Sequence, residues 1–150
     1  MLLYLDLNCF NRPFDDQTQE RTARETGAVF SILQRVVGGV DQMAWSAILD
    51  FENSQHPMPD RRSEIARWKH RAVVNIAVNE DVSLRAQELE ESGFRPLDAA
   101  HLASAEVGEC DCFLTCDDRL TRAAQRSHLA LKVLNPVDYL EETSDARTDS

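Results

Sequence analysis

The stretch "LLYLDL", residues 2–7, decides the fold class of this chain. Its apolar residues are typical of a buried strand, and the Asn, Pro and Asp of "NCFNRPFDD", residues 8–16, indicate a loop after it. Asp6 therefore lies at the end of a buried strand. A carboxylate in that position is partly buried, which is unfavourable unless a partner offsets its charge. Asp6 is the strongest single indicator of a functional site in the sequence.

Strands and helices alternate along the rest of the chain. Strands are predicted at 40–45, 110–115 and 129–135, and helices at 16–37, 46–54, 60–77, 79–92, 96–107, 117–127 and 136–142. Ser46 is placed to cap the second of these helices, and Pro96 suits the first turn of the fifth. The alternation favours an α/β fold with a small parallel sheet of four or five strands and helices on both faces.

Length and composition predict a single cytoplasmic domain. The 150 residues suffice for one core, which we place at residues 1–140, and the polar end at 141–150 is predicted to be a disordered tail. Apolar runs are far shorter than the roughly 20 residues of a membrane span, and the first residues show no signal peptide. Four cysteines in a chain of this size predict reduced thiols rather than a disulfide framework.

The net charge of −10 argues against a general electrostatic grip on nucleic acid, because phosphate contacts need a surface rich in Lys and Arg. One segment is locally basic. Residues 61–71, "RRSEIARWKHR", carry five Lys or Arg against a single Glu. This segment is interpreted as a solvated face, a partner surface or a second contact for RNA.

The predicted fold places four acids near the same edge of the sheet. Asp6 and Asp117 follow strands, and Glu52 and Asp98 lie on helices near the same edge of a parallel sheet. Sites of open α/β sheets form outside the carboxyl ends of the strands. Carboxylates brought so close together need a cation, since like charges raise one another's pKa. Ligands that are all oxygen favour Mg²⁺ or Mn²⁺ over Zn²⁺.

The same acids carry a resemblance to a known family. In order along the chain, "LYLDLN" (3–8), "SAILDFE" (46–52), "LDAAHLASA" (97–105) and "FLTCDDRL" (113–120) resemble the four acidic motifs of the PIN domain family. The resemblance implies a three-layer sandwich, with a small parallel sheet between layers of helices. Many members of this family are metal-dependent endoribonucleases, and these include the toxins of bacterial toxin–antitoxin pairs.

Carrying the motifs over residue by residue gives the catalytic, metal-binding acids that the resemblance implies: Asp6, Glu52, Asp98 and Asp117. Asp50 lies on the same helix as Glu52, and only the spacing from Ser46 selects Glu52. Asn8 matches a polar position that supports the site. Thr115 and Asp118 are placed just outside the ligands, with Asp118 as either a helix cap or an outer acid.

The resemblance also implies the chemistry and the partners. A water activated by Mg²⁺ or Mn²⁺ would cleave single-stranded or structured RNA and leave a 5′-phosphate and a 3′-hydroxyl. A toxin of a type II pair would bind an antitoxin, whose segments commonly lie over the acidic pocket, and members of the family commonly form homodimers. Arg119, Arg122 and Arg126 follow Asp117 at helical spacing, so they form either a stripe that holds the RNA backbone or a solvated helix face.

Each of these residues also has a plainer interpretation. Asp98 and Asp117 suit the start of any helix, and Glu52 suits an exposed helix face. His101 is more typical of a packed histidine than of a ligand, although it follows Asp98 by one turn. Cys110, Cys112 and Cys116 are interpreted as buried thiols rather than a zinc site, since they contain no Cys-x-x-Cys pair.

Three other functions remain open at this stage. The chain could be a PIN protein that processes RNA without being a toxin, or a scaffold that binds RNA or protein without cleaving. It could also be a phosphoacceptor module built on Asp6, Thr115 and Lys132. The sequence determines neither the RNA target nor whether one or two metal ions bind.

Overall fold

The computed structural model describes residues 1–148, with the side chains of residues 1–144. Five strands form one sheet: β1 (Leu2–Leu5), β2 (Gln42–Ser46), β3 (Val74–Ile76), β4 (Cys112–Leu114) and β5 (Lys132–Leu134). The helices are α1 (Leu7–Asn11), α2 (Glu20–Val37), α3 (Ala47–Ser54), α4 (Pro59–Ala66), α5 (Glu80–Glu91), α6 (Pro96–Val107), α7 (Asp118–Arg126) and α8 (Pro136–Thr148). Among these described helices, none has the length and apolar character that crossing a membrane requires.

The strands are parallel and lie in the order β3-β2-β1-β4-β5. The chain leaves the central strand β1 towards β2 and later returns to β4 on its other side. Because such crossovers are right-handed as a rule, we expect α1 to α4 on one face of the sheet and α5 to α7 on the other. Helix α8 packs against α2. The predicted α/β sandwich of four or five strands is confirmed. Its topological switch point, where such folds place their sites, lies between β1 and β4.

The core forms around the central strand. Leu3, Tyr4 and Leu5 are fully buried, as the apolar run at the start of the sequence predicts. The Tyr4 ring stacks on Phe113 of the neighbouring strand β4, with the ring centroids 5.2 Å apart. This packing fixes the two strands whose carboxyl ends carry Asp6 and Asp117.

The helix predicted over residues 60–77 is wrong in its second half. Helix α4 ends at Ala66, a 3₁₀ turn covers Arg67–Arg71, and β3 follows it. The "VVNI" that precedes Ala77 is rich in β-branched residues, and Ala44 and Trp45 of β2 pair with Val74 and Asn75. Pairing with β2 therefore overrides the helical interpretation and adds an edge strand to the sheet.

The segment predicted to be a loop after β1 is partly helical. Helix α1 starts directly after the strand, because the Asp6 carboxylate accepts a hydrogen bond from the Leu7 N–H at 2.8 Å and caps the helix. Leu7 and Phe10 are buried by this helix. A 3₁₀ turn at Arg12–Phe14 follows it. The site acid thus also begins a helix.

The polar end of the chain differs from the predicted tail. Residues 141–148 continue α8 instead of ending it, whereas residues 149 and 150 lie outside the described part of the chain. Two contacts fix the start of this stretch: Arg35 donates to the Thr143 hydroxyl at 2.9 Å, and Lys132 pairs with Glu142 at 2.5 Å. The domain boundary at residue 140 stays a prediction.

Candidate metal centre

Asp6 lies where the sheet topology predicts a site. Its backbone N–H donates to the Leu114 carbonyl at 2.8 Å, which aligns the ends of β1 and β4. The residue is only 7% exposed. Its Oδ2 atom accepts a hydrogen bond from the Thr115 hydroxyl at 2.8 Å and one from the Asn8 amide at 3.2 Å. Asp6 is therefore held by residues that follow both central strands.

Asn8 and Thr115 tie the two strand ends together. The Asn8 amide donates to the Thr115 hydroxyl oxygen at 3.0 Å, and its carbonyl oxygen accepts from the Cys116 N–H at 3.0 Å. The Thr115 hydroxyl oxygen also accepts from the Asp117 N–H at 3.1 Å. Asn8 and Thr115 are thus both hydrogen-bonded to Asp6, and Thr115 is also bonded to the backbone of Asp117.

Helix α3 carries Glu52 to the same place. Ser46 caps this helix, as predicted, by accepting from the Leu49 N–H at 3.1 Å. Glu52 Oε1 lies 2.6 Å from His101 Nε2. Within the described part of the chain, Asp6, Glu52 and His101 form a group whose candidate ligand atoms all lie within 4.8 Å of one another.

The alternative acid on α3 has different partners. Asp50 accepts from the indole N–H of Trp45 at 2.8 Å and pairs with Lys69 at 2.9 Å. Asp50 therefore fixes β2 and the basic segment, and Glu52 is the acid of α3 that lies beside Asp6.

Asp98 and Asp117 both pair with the guanidinium of Arg119. Asp98 lies in the first turn of α6, and Asp117 caps α7 by accepting from the N–H groups of Arg119 and Leu120. One guanidinium nitrogen of Arg119 lies 2.8 Å from Asp98 Oδ2 and 3.1 Å from Asp117 Oδ2. Two carboxylates from different helices therefore converge on one positive group.

The electrostatics link Asp98 to the buried end of the site. Burial raises the pKa of Asp6, and the nearby charges of Glu52 and Asp98 raise it further, whereas His101 and the hydrogen bond from Thr115 lower it. A buried carboxylate beside two further acids is stable in its ionised form only with additional positive charge. The site thus has the electrostatic character of a cation-binding pocket.

His101 is the member of this group that the sequence analysis did not assign to the site. It follows Asp98 by one helical turn, so both side chains lie on one face of α6. The residue is 1% exposed, and both of its ring nitrogens have hydrogen-bond partners. The signal that could have found it is a polar residue among the small and apolar residues of "LDAAHLASA", because a buried polar group needs partners.

The two acids at the start of α7, Asp117 and Asp118, have different partners. Asp117 is the cap, and Asp118 turns to Arg21, whose guanidinium nitrogens lie 2.6 and 2.8 Å from its carboxylate oxygens. This pairing lowers the pKa of Asp118. Of the predicted basic stripe, Arg122 and Arg126 are exposed, whereas Arg119 contacts the acids. Asp118 therefore lies outside the pair of acids that Arg119 joins, and it contacts α2.

The other chemistries considered from the sequence have little geometric support. Cys112 and Cys116 are buried free thiols, and Cys110 is partly buried. No cysteine belongs to a candidate metal group within the described residues. Lys132, which a phosphoacceptor site would require near Asp6, pairs instead with Glu142 on α8.

A five-stranded parallel sheet, with acids after β1 and β4 and on α3 and α6 near its switch point, defines a class of α/β protein with a carboxylate-lined site. The PIN domain family model matches residues 3–126, and the chain belongs to this family. A similar solved structure is VapBC2 from Rickettsia felis bound to a DNA fragment from their promoter. The TM-score is 0.60 at 14% identity, over 90% of this chain and 98% of the other. No curated protein sequence matches the chain significantly.

Proposed function

We propose that this protein is a metal-dependent endoribonuclease that cleaves single-stranded RNA, and that it acts as the toxin of a type II toxin–antitoxin pair. The observation that carries the proposal is that Asp6 and Glu52 lie together at the switch point of a PIN domain, while Asp98 and Asp117 share the guanidinium of Arg119 beside them. Asp6, Glu52, Asp98 and Asp117 are the proposed metal ligands. Nuclease activity is typical of the family, and this chain retains an acid at each of the four motif positions.

The side chains fit a divalent cation of the Mg²⁺ or Mn²⁺ type. Arg119 shows where positive charge is favourable, because a single nitrogen of its guanidinium is shared by Asp98 and Asp117. Asp6 adds a buried carboxylate whose pKa is raised by burial and, to a smaller extent, by the charges of Glu52 and Asp98. Carboxylate oxygens are the preferred ligands of both ions.

A bound Mg²⁺ or Mn²⁺ supplies an activated water and offsets the charge of the scissile phosphate. The chain's own residues orient the ligands. Asn8 and Thr115 hold Oδ2 of Asp6, and the cap interactions of Asp117 fix its carboxylate at the start of α7. Thr115 also couples the two, since it contacts both Asp6 and the Asp117 N–H. No side chain of the protein has to act as a nucleophile.

The proposed RNA contacts lie on α7 and on the basic segment 61–71. Arg122 and Arg126 are exposed along α7, which begins at the acidic pocket. In the basic segment, Arg67 and Arg71 line one surface pocket together with Trp68. Arginines can hold the RNA backbone, and an aromatic ring can stack on a base. These local patches would supply the attraction that the net charge of −10 does not.

Arg119 is expected to compete with the divalent cation for Asp98 and Asp117. Replacing it in Arg119→Gln removes the guanidinium, and we expect Mn²⁺ to bind up to about fivefold more tightly, the equivalent of a partly exposed ion pair. Isothermal titration calorimetry without RNA measures this change. Arg122→Gln, one turn away on the exposed face, is the matched control. Weaker Mn²⁺ binding by Arg119→Gln would contradict the competition.

An antitoxin partner is supported by an apolar surface next to the site helices. A groove of about 380 Å³ is lined by residues of α1, α2 and α4 and by the 3₁₀ turns, among them Phe14, Phe30 and Trp68. Phe14 and Phe30 are 45% and 53% exposed, and such apolar patches are typical of protein-binding surfaces. Homodimer formation and a cytoplasmic location are further parts of the proposal; the free thiols are compatible with a reducing compartment.

Co-purification with the protein encoded by the neighbouring reading frame tests the pairing. A stable complex that suppresses RNA cleavage is the expected result. A nuclease that stays free and fully active in the presence of that protein would contradict the toxin assignment while leaving the nuclease assignment intact.

Analysis of the RNA ends tests the proposed reaction. Attack by a metal-activated water predicts fragments with a 5′-phosphate and a 3′-hydroxyl, which a 5′-phosphate-dependent exonuclease degrades. Attack by the RNA's own 2′-hydroxyl would instead leave a 2′,3′-cyclic phosphate and a 5′-hydroxyl. Fragments of this second kind, produced by purified protein, would contradict the metal-dependent mechanism.

A further inference from the structure

A buried chain of hydrogen bonds extends from the cap of α3 to the carboxylate of Glu52. The Ser46 hydroxyl lies 2.6 Å from the Tyr4 hydroxyl, which lies 2.6 Å from His101 Nδ1. His101 Nε2 then lies 2.6 Å from Glu52 Oε1. Ser46, Tyr4 and His101 are all at most 1% exposed. Three elements, β1, the end of β2 and α6, therefore hold one proposed metal ligand through residues that are shielded from water.

The direction of the last bond follows from the chemistry of the groups. An ionised carboxylate can only accept hydrogen bonds, so Nε2 of His101 carries the proton and donates to Glu52. In the neutral ring Nδ1 accepts from the Tyr4 hydroxyl, and in the protonated ring it donates to that hydroxyl. The bond to Glu52 is the same in both cases. Burial raises the pKa of Tyr4 well above its ordinary value, so its hydroxyl stays protonated.

From this chain of hydrogen bonds we infer that His101 is a positioning residue for Glu52. Its Nε2–H holds Oε1 of Glu52 and leaves Oε2 available to a divalent cation. The inference rests on the proposed metal site, and it assigns His101 a role different from that of a ligand. Both ring nitrogens are engaged, Nδ1 with Tyr4 and Nε2 with Glu52, so neither presents a free lone pair to a metal. Hydrogen bonds from outer residues orient metal ligands in this way.

Ser46 also connects this hydrogen-bond chain to the start of α3. Its hydroxyl oxygen also accepts from the Leu49 N–H and so fixes the first turn of the helix that carries Glu52. The start of α3 and the side chain of Glu52 are thus attached to the same buried network. Rotation of the His101 ring away from Tyr4 would break the link between them.

Two substitutions at His101 separate its two nitrogens. In His101→Gln the amide nitrogen can occupy the place of Nε2 and donate to Glu52, whereas in His101→Asn the shorter amide reaches only the place of Nδ1, near Tyr4. We expect His101→Asn to lower Mn²⁺ affinity about 10- to 100-fold, as removal of an outer hydrogen bond to a ligand does. His101→Gln is expected to restore most of that affinity.

Calorimetric titration of the full chain with Mn²⁺, without RNA, measures these affinities. Tyr4→Phe keeps the ring that stacks on Phe113 and removes only the hydroxyl, so it provides an independent variant if His101→Asn does not fold. Tyr4→Phe is expected to weaken Mn²⁺ binding in the same direction, because the His101 ring loses the partner that orients it. Unchanged affinity in Tyr4→Phe and in any folded His101→Asn overturns the inference.

Electron spin-echo spectroscopy of bound Mn²⁺ provides the second readout. A positioning role predicts no strong ¹⁴N coupling in the wild type, whereas directly coordinated imidazole would produce one and overturn the inference. A His101→Gln variant that binds Mn²⁺ as weakly as His101→Asn would also overturn the inference. If the wild type binds no Mn²⁺, the proposed function fails together with the inference; if it binds Mn²⁺ and only the His101 predictions fail, the proposed function stands.

Discussion

Asp6→Asn is expected to lower the rate of RNA cleavage by more than about 100-fold, because loss of an outer partner alone costs 10- to 100-fold at metal sites. The substitution removes the charge of the most buried of the four motif acids, together with one of its two acceptor oxygens. Asparagine caps helices about as well as aspartate, so α1 can still begin at Leu7. Its one amide oxygen can keep the bond from the Leu7 N–H, and its amide nitrogen then takes the place of Oδ2, where it can donate to the Thr115 hydroxyl oxygen. The loss would therefore report on cation binding rather than on the fold.

The control for this substitution is another acid at the same edge of the sheet. Asp118→Asn removes a carboxylate that pairs with Arg21 at the surface, and we expect nearly wild-type cleavage. Both variants are assayed on one single-stranded RNA in Mn²⁺, with circular dichroism as the check on folding. Cleavage by folded Asp6→Asn at the wild-type rate would contradict the assignment of Asp6.

The second large effect is on stability. A ligand that binds only the folded state raises the free energy of unfolding by about 2.7 kcal/mol when its concentration is 100 times Kd. We expect Mn²⁺ to stabilise the wild type by about that amount, because it offsets the neighbouring charges of Asp6 and Glu52. Urea denaturation with and without Mn²⁺ at constant ionic strength measures the difference.

Asp6→Asn separates specific binding from general screening of the acidic chain. With a net charge of −10, the protein gains some stability from any added cation. We therefore expect the increment from Mn²⁺ to be much smaller in Asp6→Asn than in Asp118→Asn, although both variants lose one charge. Equal increments would place the stabilising ion away from the pocket.

The central part of the fold was predictable because local and tertiary signals agree there. The apolar run at residues 2–5 forms the central strand, and Asp6 ends it at the switch point. Ser46 and Pro96 start the helices that they were predicted to start. In each case the residue that satisfies the local backbone also suits the tertiary position, so the two levels support the same structure.

The errors occur where a partner distant in sequence decides the structure. β3 forms because β2 offers it a strand to pair with. Within the site, the spacing of the motifs predicted which acids to examine, but not their partners. Arg119 bridges two acids, and its contact with RNA stays a prediction. His101 is the packed histidine that was expected, but its partners Tyr4 and Glu52 were not predicted. Spacing along a helix indicates which face a side chain lies on, but not which group it meets there.

The most direct test of the central claim is a titration of RNA cleavage with Mn²⁺ after treatment of the purified protein with EDTA. The metal-site account predicts that cleavage stops in EDTA, returns as Mn²⁺ is added in excess, and saturates at the Mn²⁺ concentration that calorimetry gives for binding. Undiminished cleavage in excess EDTA would show that the acids at the switch point do not act through a divalent cation, and it would contradict the account.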